Sequence, residues 1–115
     1  MNMKHMQESA RQASTLLKSL GNENRLLILC NLVNGEKSVG ELQTLIGLKQ
    51  SALSQHLARL RRDNLVTTRR QAQTIYYSLH GEQAKRVIGV LYDMYCASPR
   101  SNRKEPQARP EEEIV

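Results

Sequence analysis

Apolar residues in the first third of the chain recur every three or four positions, which is the spacing of an α-helix. A first helix is predicted from about residue 8 to residue 20, and Gly21 ends its pattern. Residues 1–7 are expected to be a flexible lead-in. A second helix is predicted over about residues 23–33, and its apolar stripe would consist of Leu26, Leu29, Cys30 and Val33.

A serine and a glutamate three residues apart mark the start of a third, shorter helix. The Ser38 hydroxyl can accept a hydrogen bond from the third amide while the Glu41 carboxylate reaches back, an arrangement called a capping box. This helix is expected to end near Ile46. Gly47 and Leu48 then form a tight turn into a fourth helix over about residues 50–63.

The fourth predicted helix has two different faces. Leu53, Leu57 and Leu60 recur at helical spacing, so we expect them to face the core. The opposite face carries small polar and basic side chains at the same spacing, namely Ser51, Ser54, Gln55, Ala58 and Arg62. Such a face can fit into a groove.

Residues 65–70 and 74–79 are rich in Val, Thr, Ile and Tyr, which predicts a β-hairpin with Arg69 and Arg70 near its tip. No Asn-Gly or Asp-Gly pair joins the strands, so the connection over residues 71–73 is expected to be longer than two residues or irregular. A last helix is predicted over about residues 82–97, with apolar positions at Ile88, Leu91, Tyr92, Met94 and Tyr95.

These elements predict a single, mainly α domain with a small β-hairpin over residues 8–97, in the order α-α-α-α-β-β-α. Residues 98–115 are dominated by Pro, Arg and Glu without periodicity and are expected to be disordered. No apolar run is long enough for a membrane span, and none follows Lys4 as a secretory signal would require. The sequence therefore favours a cytoplasmic protein.

Positive charge is concentrated in one part of the chain. The net charge is +6, and residues 49–70 alone contribute +5, because six cations there face only the carboxylate of Asp63. In residues 98–115 the charges of the acidic and basic side chains cancel. A local excess of this kind is the electrostatic footprint expected for a polyanion partner.

The basic segment coincides with the fourth helix and the hairpin, and this coincidence indicates DNA binding. A short helix, a tight turn and a second helix with a polar face can place the second helix in the major groove. Ser, Gln, His and Arg read base edges there, while Arg69 and Arg70 can reach phosphate or the minor groove. A helical bundle with a merely solvated basic surface is the less favoured alternative. Phe and Trp are absent, which disfavours an RNA-binding protein that stacks bases on aromatic side chains.

Three segments resemble the ArsR family of winged helix-turn-helix regulators. Residues 17–29 (LKSLGNENRLLIL) resemble its opening signature, residues 51–61 (SALSQHLARLR) its recognition helix, and residues 74–79 (TIYYSL) its second wing strand. The resemblance implies a homodimer formed through the first and last helices, which binds an imperfect inverted repeat in double-stranded DNA. By match to the motif, the contacting residues on the recognition helix would be Gln50, Ser51, Ser54, Gln55, His56 and Arg59.

One position departs from the family pattern. Lys49 stands where the family usually has a serine before the recognition helix. The change removes an N-cap oxygen and places a cation at the positive end of a helix. A nearby DNA phosphate would relieve that repulsion, so Lys49 is expected to be a phosphate contact. Arg62, Arg69 and Arg70 complete the predicted DNA-binding residues.

The metal-sensing branches of the family are poorly matched. The third helix contains no Cys, and the last helix contains no His. His5, His56 and His80 lie in three separate elements at no ligand spacing. A metal-responsive repressor therefore stays an alternative, and no cofactor is expected. An enzyme is disfavoured because the chain lacks a Cys-x-x-Cys pair, a cofactor loop and paired carboxylates.

Two cysteines are too few for a secreted disulfide scaffold, but Cys30 and Cys96 match a dithiol subgroup of the family represented by BigR, SqrR, YgaV and HlyU. The resemblance implies that reactive sulfur species or oxidants link the pair within one protomer and so release a repressor from its operator. Two inert cysteines are the competing interpretation, because Cys on an apolar stripe often behaves as a small hydrophobe. An HlyU-like activator that displaces a silencing protein is a further alternative.

Overall fold

Five helices and three short strands make up residues 2–96, the part of the chain that the computed structural model describes. Along the chain they are α1 (Met3–Leu20), α2 (Glu23–Leu32), β1 (Lys37–Ser38), α3 (Val39–Ile46), α4 (Gln50–Arg62), β2 (Val66–Gln71), β3 (Thr74–Leu79) and α5 (Gln83–Tyr95). The chain divides into two units, Met1–Lys85 and Arg86–Val115. The tail predicted to be disordered lies outside the described residues. None of the helices described is both long and apolar enough to cross a membrane.

Side-chain caps explain where the first two helices begin. The Asn2 side chain accepts a hydrogen bond of 2.8 Å from the His5 backbone, so α1 starts at Met3. The structure therefore places residues 3–7 within α1 rather than before it, which corrects the predicted lead-in. Asn22 accepts hydrogen bonds from the two backbone amides that follow Glu23 and so caps α2.

The capping box predicted for α3 is confirmed. The Glu41 amide donates to Ser38 Oγ over 3.1 Å, and the Ser38 amide donates to Glu41 Oε1 over 2.8 Å. Gly47 ends the helix with φ of 83°, a left-handed conformation that glycine adopts without steric cost. The turn into α4 therefore lies where the sequence predicts it.

The buried face of α2 differs from the predicted stripe. Ile28, Leu29 and Leu32 are almost fully buried, whereas Cys30 and Val33 are exposed and Leu26 is half-buried. The sequence ENRLLILCNL is apolar over most of its circumference, so periodicity alone does not select one face. The core of the first unit is completed by leucines from α3, α4 and the residue before β2, namely Leu42, Leu53, Leu57, Leu60 and Leu65.

The hairpin extends into a three-stranded antiparallel sheet in the order β1-β3-β2. Gln71 pairs with Thr74, so only Ala72 and Gln73 connect β2 to β3, and the expectation of a longer or irregular loop is wrong. Ala72 makes the two-residue connection possible by adopting φ of 56°, a conformation that usually requires Gly or Asn. Strand β1 was not predicted, because two residues are too few to show alternation.

Candidate nucleic-acid interface

Helix α4 buries its leucines and exposes its polar face, as the sequence predicts. Leu53, Leu57 and Leu60 are at most 1% exposed. The side chains on the opposite face all lie at the surface: Ser51, Ser54, Gln55, Ala58 and Arg62. A rigid helix thus presents hydrogen-bonding groups outward from a fixed apolar base.

The N-terminus of α4 has no side-chain cap. Lys49 occupies the N-cap position in extended conformation and makes no capping hydrogen bond, in contrast to Asn22 and Ser38 on the preceding helices. Lys49 and Gln50 are both exposed. The first amides of α4 therefore point toward solvent beside a cation, which is a suitable place for an anionic oxygen.

His56 and Arg59 lie at the edge of the exposed face and are half-buried. Burial lowers the pKa of the His56 imidazole, and the positive charge of Arg25 lowers it further. His56 is therefore more readily neutral than an exposed histidine, so it offers one donor and one acceptor rather than a charge. Arg59 Nε lies 3.6 Å from Asp63 Oδ2.

Asp63 follows α4 and binds two arginines of the basic segment. Arg62 Nε donates to Asp63 Oδ1 over 3.2 Å, whereas Arg59 lies beside the other carboxylate oxygen, Oδ2. Burial raises the pKa of Asp63, but the hydrogen bond from Arg62, together with the charges of Arg62 and Arg59, brings it below its ordinary value. The carboxylate is therefore ionised and partly neutralises this end of the helix.

Arg25 is a buried cation that sequence reasoning missed. Its Nε donates to the Ser19 carbonyl over 2.6 Å and its Nη2 to the Lys18 carbonyl over 3.2 Å. It thus satisfies carbonyls at the end of α1 that have no partner within the helix. Burial lowers its pKa, as does the charge of Arg59, while Asp63 opposes this. A lone arginine within the apolar α2 sequence was the available signal.

The two arginines of the hairpin have different surroundings. Arg69 forms a bidentate pair with Glu36, with Nε to Oε1 at 3.1 Å and Nη2 to Oε2 at 2.6 Å. The hydrogen bond lowers the pKa of Glu36 and raises that of Arg69. Arg70 is exposed and pairs in the strand register with Ile75. No local sequence pattern distinguishes the two adjacent arginines.

Both cysteines lie at the surface. Cys30 is exposed near the end of α2, so its expected place in a buried apolar stripe is wrong. Cys96 is exposed and follows α5, with its amide donating to the Tyr92 carbonyl over 2.7 Å. Within residues 2–96, no three His, Cys, Asp or Glu side chains gather as metal ligands would.

Helices α3 and α4, the turn between them and the β2–β3 hairpin define a winged helix-turn-helix, a class of DNA-binding domain. The chain belongs to the ArsR family: the family profile described as bacterial regulatory protein, arsR family, matches residues 22–68. It is accordingly a DNA-binding transcriptional regulator and not an enzyme. We call the β2–β3 hairpin the wing from here on.

Two relatives and one solved structure illustrate the similarity. Transcriptional activator HlyU of Vibrio cholerae is 51% identical over 96 residues, covering 84% of this chain and 89% of the relative. The biofilm growth-associated repressor of Agrobacterium fabrum is 42% identical over 97 residues, covering 84% and 82%. The structure of reduced HlyU from Vibrio cholerae matches with a TM-score of 0.80 and 49% identity, covering 83% of this chain and all of that one.

Proposed function

We propose that two copies of the chain bind an inverted-repeat operator, with α4 of each copy in the major groove and the wing against the flanking backbone. The observation that carries this proposal is the exposed polar face of α4, backed by buried leucines and bordered at its start by the exposed cation Lys49. A helix fits the major groove, and two-fold symmetry of the protein would match the two-fold symmetry of an inverted repeat.

The surroundings of each residue suggest a division of roles. Ser51, Ser54 and Gln55 project from the middle of the exposed face and would read base edges, with neutral His56 as an additional hydrogen-bonding group. Backbone contacts would come from basic and polar residues at the margins of α4, namely Lys49, Gln50, Arg59 and Arg62, and from the wing, which carries Arg69 and Arg70.

Apolar side chains on two helices support a homodimer. Met3, Met6 and Leu17 of α1 are 47–65% exposed, and α5 exposes Val90, Tyr92, Met94 and Tyr95 by 56–77%. Apolar surface of this extent is usually covered by a partner. We therefore propose that α1 and α5 of one protomer pair with those of its partner.

We further propose that linking Cys30 to Cys96 within a protomer releases the operator. The exposure of both thiols supports access by a small sulfur donor, and a relative solved in a state described as reduced supports redox sensitivity. The pairing itself rests on the resemblance to the dithiol subgroup. A link between α2 and the chain after α5 would bias the dimer interface and so the separation of the two α4 helices.

The chemistry needs only an organic persulfide as oxidant. One cysteine thiolate attacks the outer sulfur of the persulfide, which gives a protein persulfide and releases the organic thiol. The second cysteine then attacks the protein sulfur and expels hydrogen sulfide, so that the two thiols become a disulfide. Where the gap is too wide for a disulfide, a second persulfide molecule first adds one sulfur to the protein persulfide and releases a second thiol. The second cysteine then closes a trisulfide by expelling hydrogen sulfide.

The test compares operator binding before and after treatment with glutathione persulfide. Reduced protein should bind, persulfide should release it, and thiol reductant should restore it. Cys30→Ser and Cys96→Ser, tested singly, should bind like the wild type and lose the response. Mass spectrometry should find a peptide containing both cysteines joined through sulfur. Unchanged affinity after treatment would exclude the sensing proposal and leave DNA binding intact.

An activator is the second candidate, because one of the relatives is a transcriptional activator with 51% identity. Transcription from the target promoter with purified polymerase distinguishes the two. A repressor lowers transcript on naked DNA. An activator that displaces a silencing protein has no effect on naked DNA and raises transcript only when that protein is present.

A further inference from the structure

We infer that Glu36 and Arg69 form a brace that holds the wing in place, and that Arg70 alone makes the wing's phosphate contact. This inference rests on the proposed DNA binding and assigns different roles to two adjacent arginines that the sequence alone treats as equivalent. Arg69 is thus a positioning residue, and Glu36 is its partner.

The Arg69 guanidinium is occupied on all three nitrogens. Nε and Nη2 donate to the two oxygens of Glu36, and Nη1 donates to Gln71 Oε1 over 2.8 Å. Its carbon lies 4.7 Å from the centre of the Tyr76 ring, so one face of the guanidinium is also covered. A bidentate, stacked guanidinium is held in one geometry, unlike a solvated side chain that can follow a phosphate.

The strand order explains what the brace connects. Arg69 lies on β2, opposite Tyr76 of the central strand β3, and β1 lies on the other side of β3. Glu36 immediately precedes β1, so the Arg69 side chain spans the sheet to reach it. Because β1 leads directly into the capping box of α3, the brace ties the outer wing strand to the start of the helix-turn-helix.

Arg70 faces the other way. Successive side chains of a strand point to opposite faces, so Arg70 lies on the face away from Glu36. It is exposed and makes no ion pair within residues 2–96. A cation already neutralised by a carboxylate releases few counterions on meeting DNA, whereas an unpaired one contributes fully.

The test is the salt dependence of operator binding by reduced protein. In Arg70→Ala, the slope of log affinity against log salt should become shallower by about 0.9 for each protomer, because each protomer loses one phosphate contact. In Arg69→Ala, affinity should fall at every salt concentration while the slope stays as in the wild type. In Glu36→Gln, the slope should steepen, because Arg69 becomes available to phosphate.

Rescue by charge exchange provides a second criterion. Arg69→Glu alone should bind poorly, and the Glu36→Arg, Arg69→Glu double variant should recover much of the lost affinity because the pair is rebuilt. If Arg69→Ala flattens the slope as much as Arg70→Ala, Arg69 contacts phosphate and the inference is overturned.

A measurement without DNA separates this inference from the proposed function. The carboxyl carbon of Glu36, followed by NMR during acid titration, should titrate at a higher pH in Arg69→Ala than in the wild type, since the brace lowers its pKa. Arg70→Ala should leave the titration unchanged and serves as the control. Identical titration in all three proteins would mean that no brace exists. Failure of the wild type to bind any duplex would reject the proposed function and with it the phosphate contact of Arg70, while the titration would still decide whether the brace exists.

Discussion

Arginines in this chain differ in role according to the oxygen atoms within their reach. Arg25 binds backbone carbonyls in the interior, Arg59 and Arg62 share Asp63, and Arg69 binds Glu36. Arg70 is the exposed cation of the wing with no such partner among the described residues. Residue type therefore predicts the sign of the surface potential, and local contacts decide which cations are available to phosphate.

Arg25 should contribute to stability rather than to DNA contact. Arg25→Ala leaves the Lys18 and Ser19 carbonyls without their donor, which should cost about 1–3 kcal/mol of unfolding free energy. Urea denaturation measures the change. Arg11→Ala, at an exposed site on α1, is the control and should stay within about 0.5 kcal/mol of the wild type. A loss in Arg25→Ala no larger than in the control would contradict this role.

Gln55 should determine sequence preference. Gln55→Ala removes a side chain that can pair bidentately with adenine, which should reduce discrimination between operator and mutated operator by about 1–3 kcal/mol. Binding to non-specific duplex should hardly change, because no phosphate contact is lost. Competition titrations measure the ratio of the two affinities. The exposed Gln83 at the start of α5 provides the control variant Gln83→Ala. An unchanged ratio in Gln55→Ala would remove Gln55 from base reading.

Asp63 gives the protein an acid-sensitive contribution to stability. Its pKa is lowered in the folded state, so the contribution is present above the unfolded-state pKa of about 3.9 and is lost as pH falls through the folded-state value. The difference in unfolding free energy between wild type and Asp63→Asn should therefore shrink as pH is lowered from about 6 to about 3. Thermal denaturation at a series of pH values tests this. A difference independent of pH would contradict the assigned ionisation.

At the scale of elements, the two ends of α3 were predictable because their signals are local, whereas the start of α1 was not. The capping box and the Gly47 turn depend on residues within four positions of one another. The buried face of α2 was not predictable, since the unbroken apolar run over residues 26–30 offers more than one face and tertiary packing selects one. Glu36 and Arg69 are 33 positions apart, and Glu36 lies beside a strand of only two residues. No local sequence pattern therefore predicts their ion pair.

Helix α4 combines an uncapped start with a cation, which suggests a compromise between stability and binding. Lys49→Ser supplies the missing N-cap oxygen and should stabilise the protein by about 0.5–2 kcal/mol. The same change should weaken operator binding and flatten its salt slope by about one unit per protomer. Denaturation and salt-dependent titration measure the two effects.

Lys85→Ser is the matched control, since it removes the charge of an exposed lysine on α5. Lys85→Ser should change both the stability and the salt slope less than Lys49→Ser does. If Lys49→Ser is more stable but binds DNA with the wild-type slope, Lys49 does not contact phosphate.

For the whole molecule, the fold and the position of the basic segment followed from sequence, because the apolar pattern fixes α4 and the charges lie on it. The sequence also located Cys30 and Cys96, but it could not give their exposure, which depends on the face that α2 buries. Identity to characterised regulators establishes DNA binding as the class of activity, while the residues that perform it and the signal that controls it stay proposals.

The most direct test of the account is titration of the reduced, full-length protein with the duplex upstream of its own gene across a range of salt concentrations. With Lys49 and Arg70 each acting in two protomers, log affinity should fall linearly with log salt, with a slope of about −3.6 or steeper. The same protein should bind a scrambled duplex at least about a thousandfold more weakly at physiological salt. Absence of binding to either duplex at low salt, or equal binding to both, would contradict a sequence-reading surface on α4.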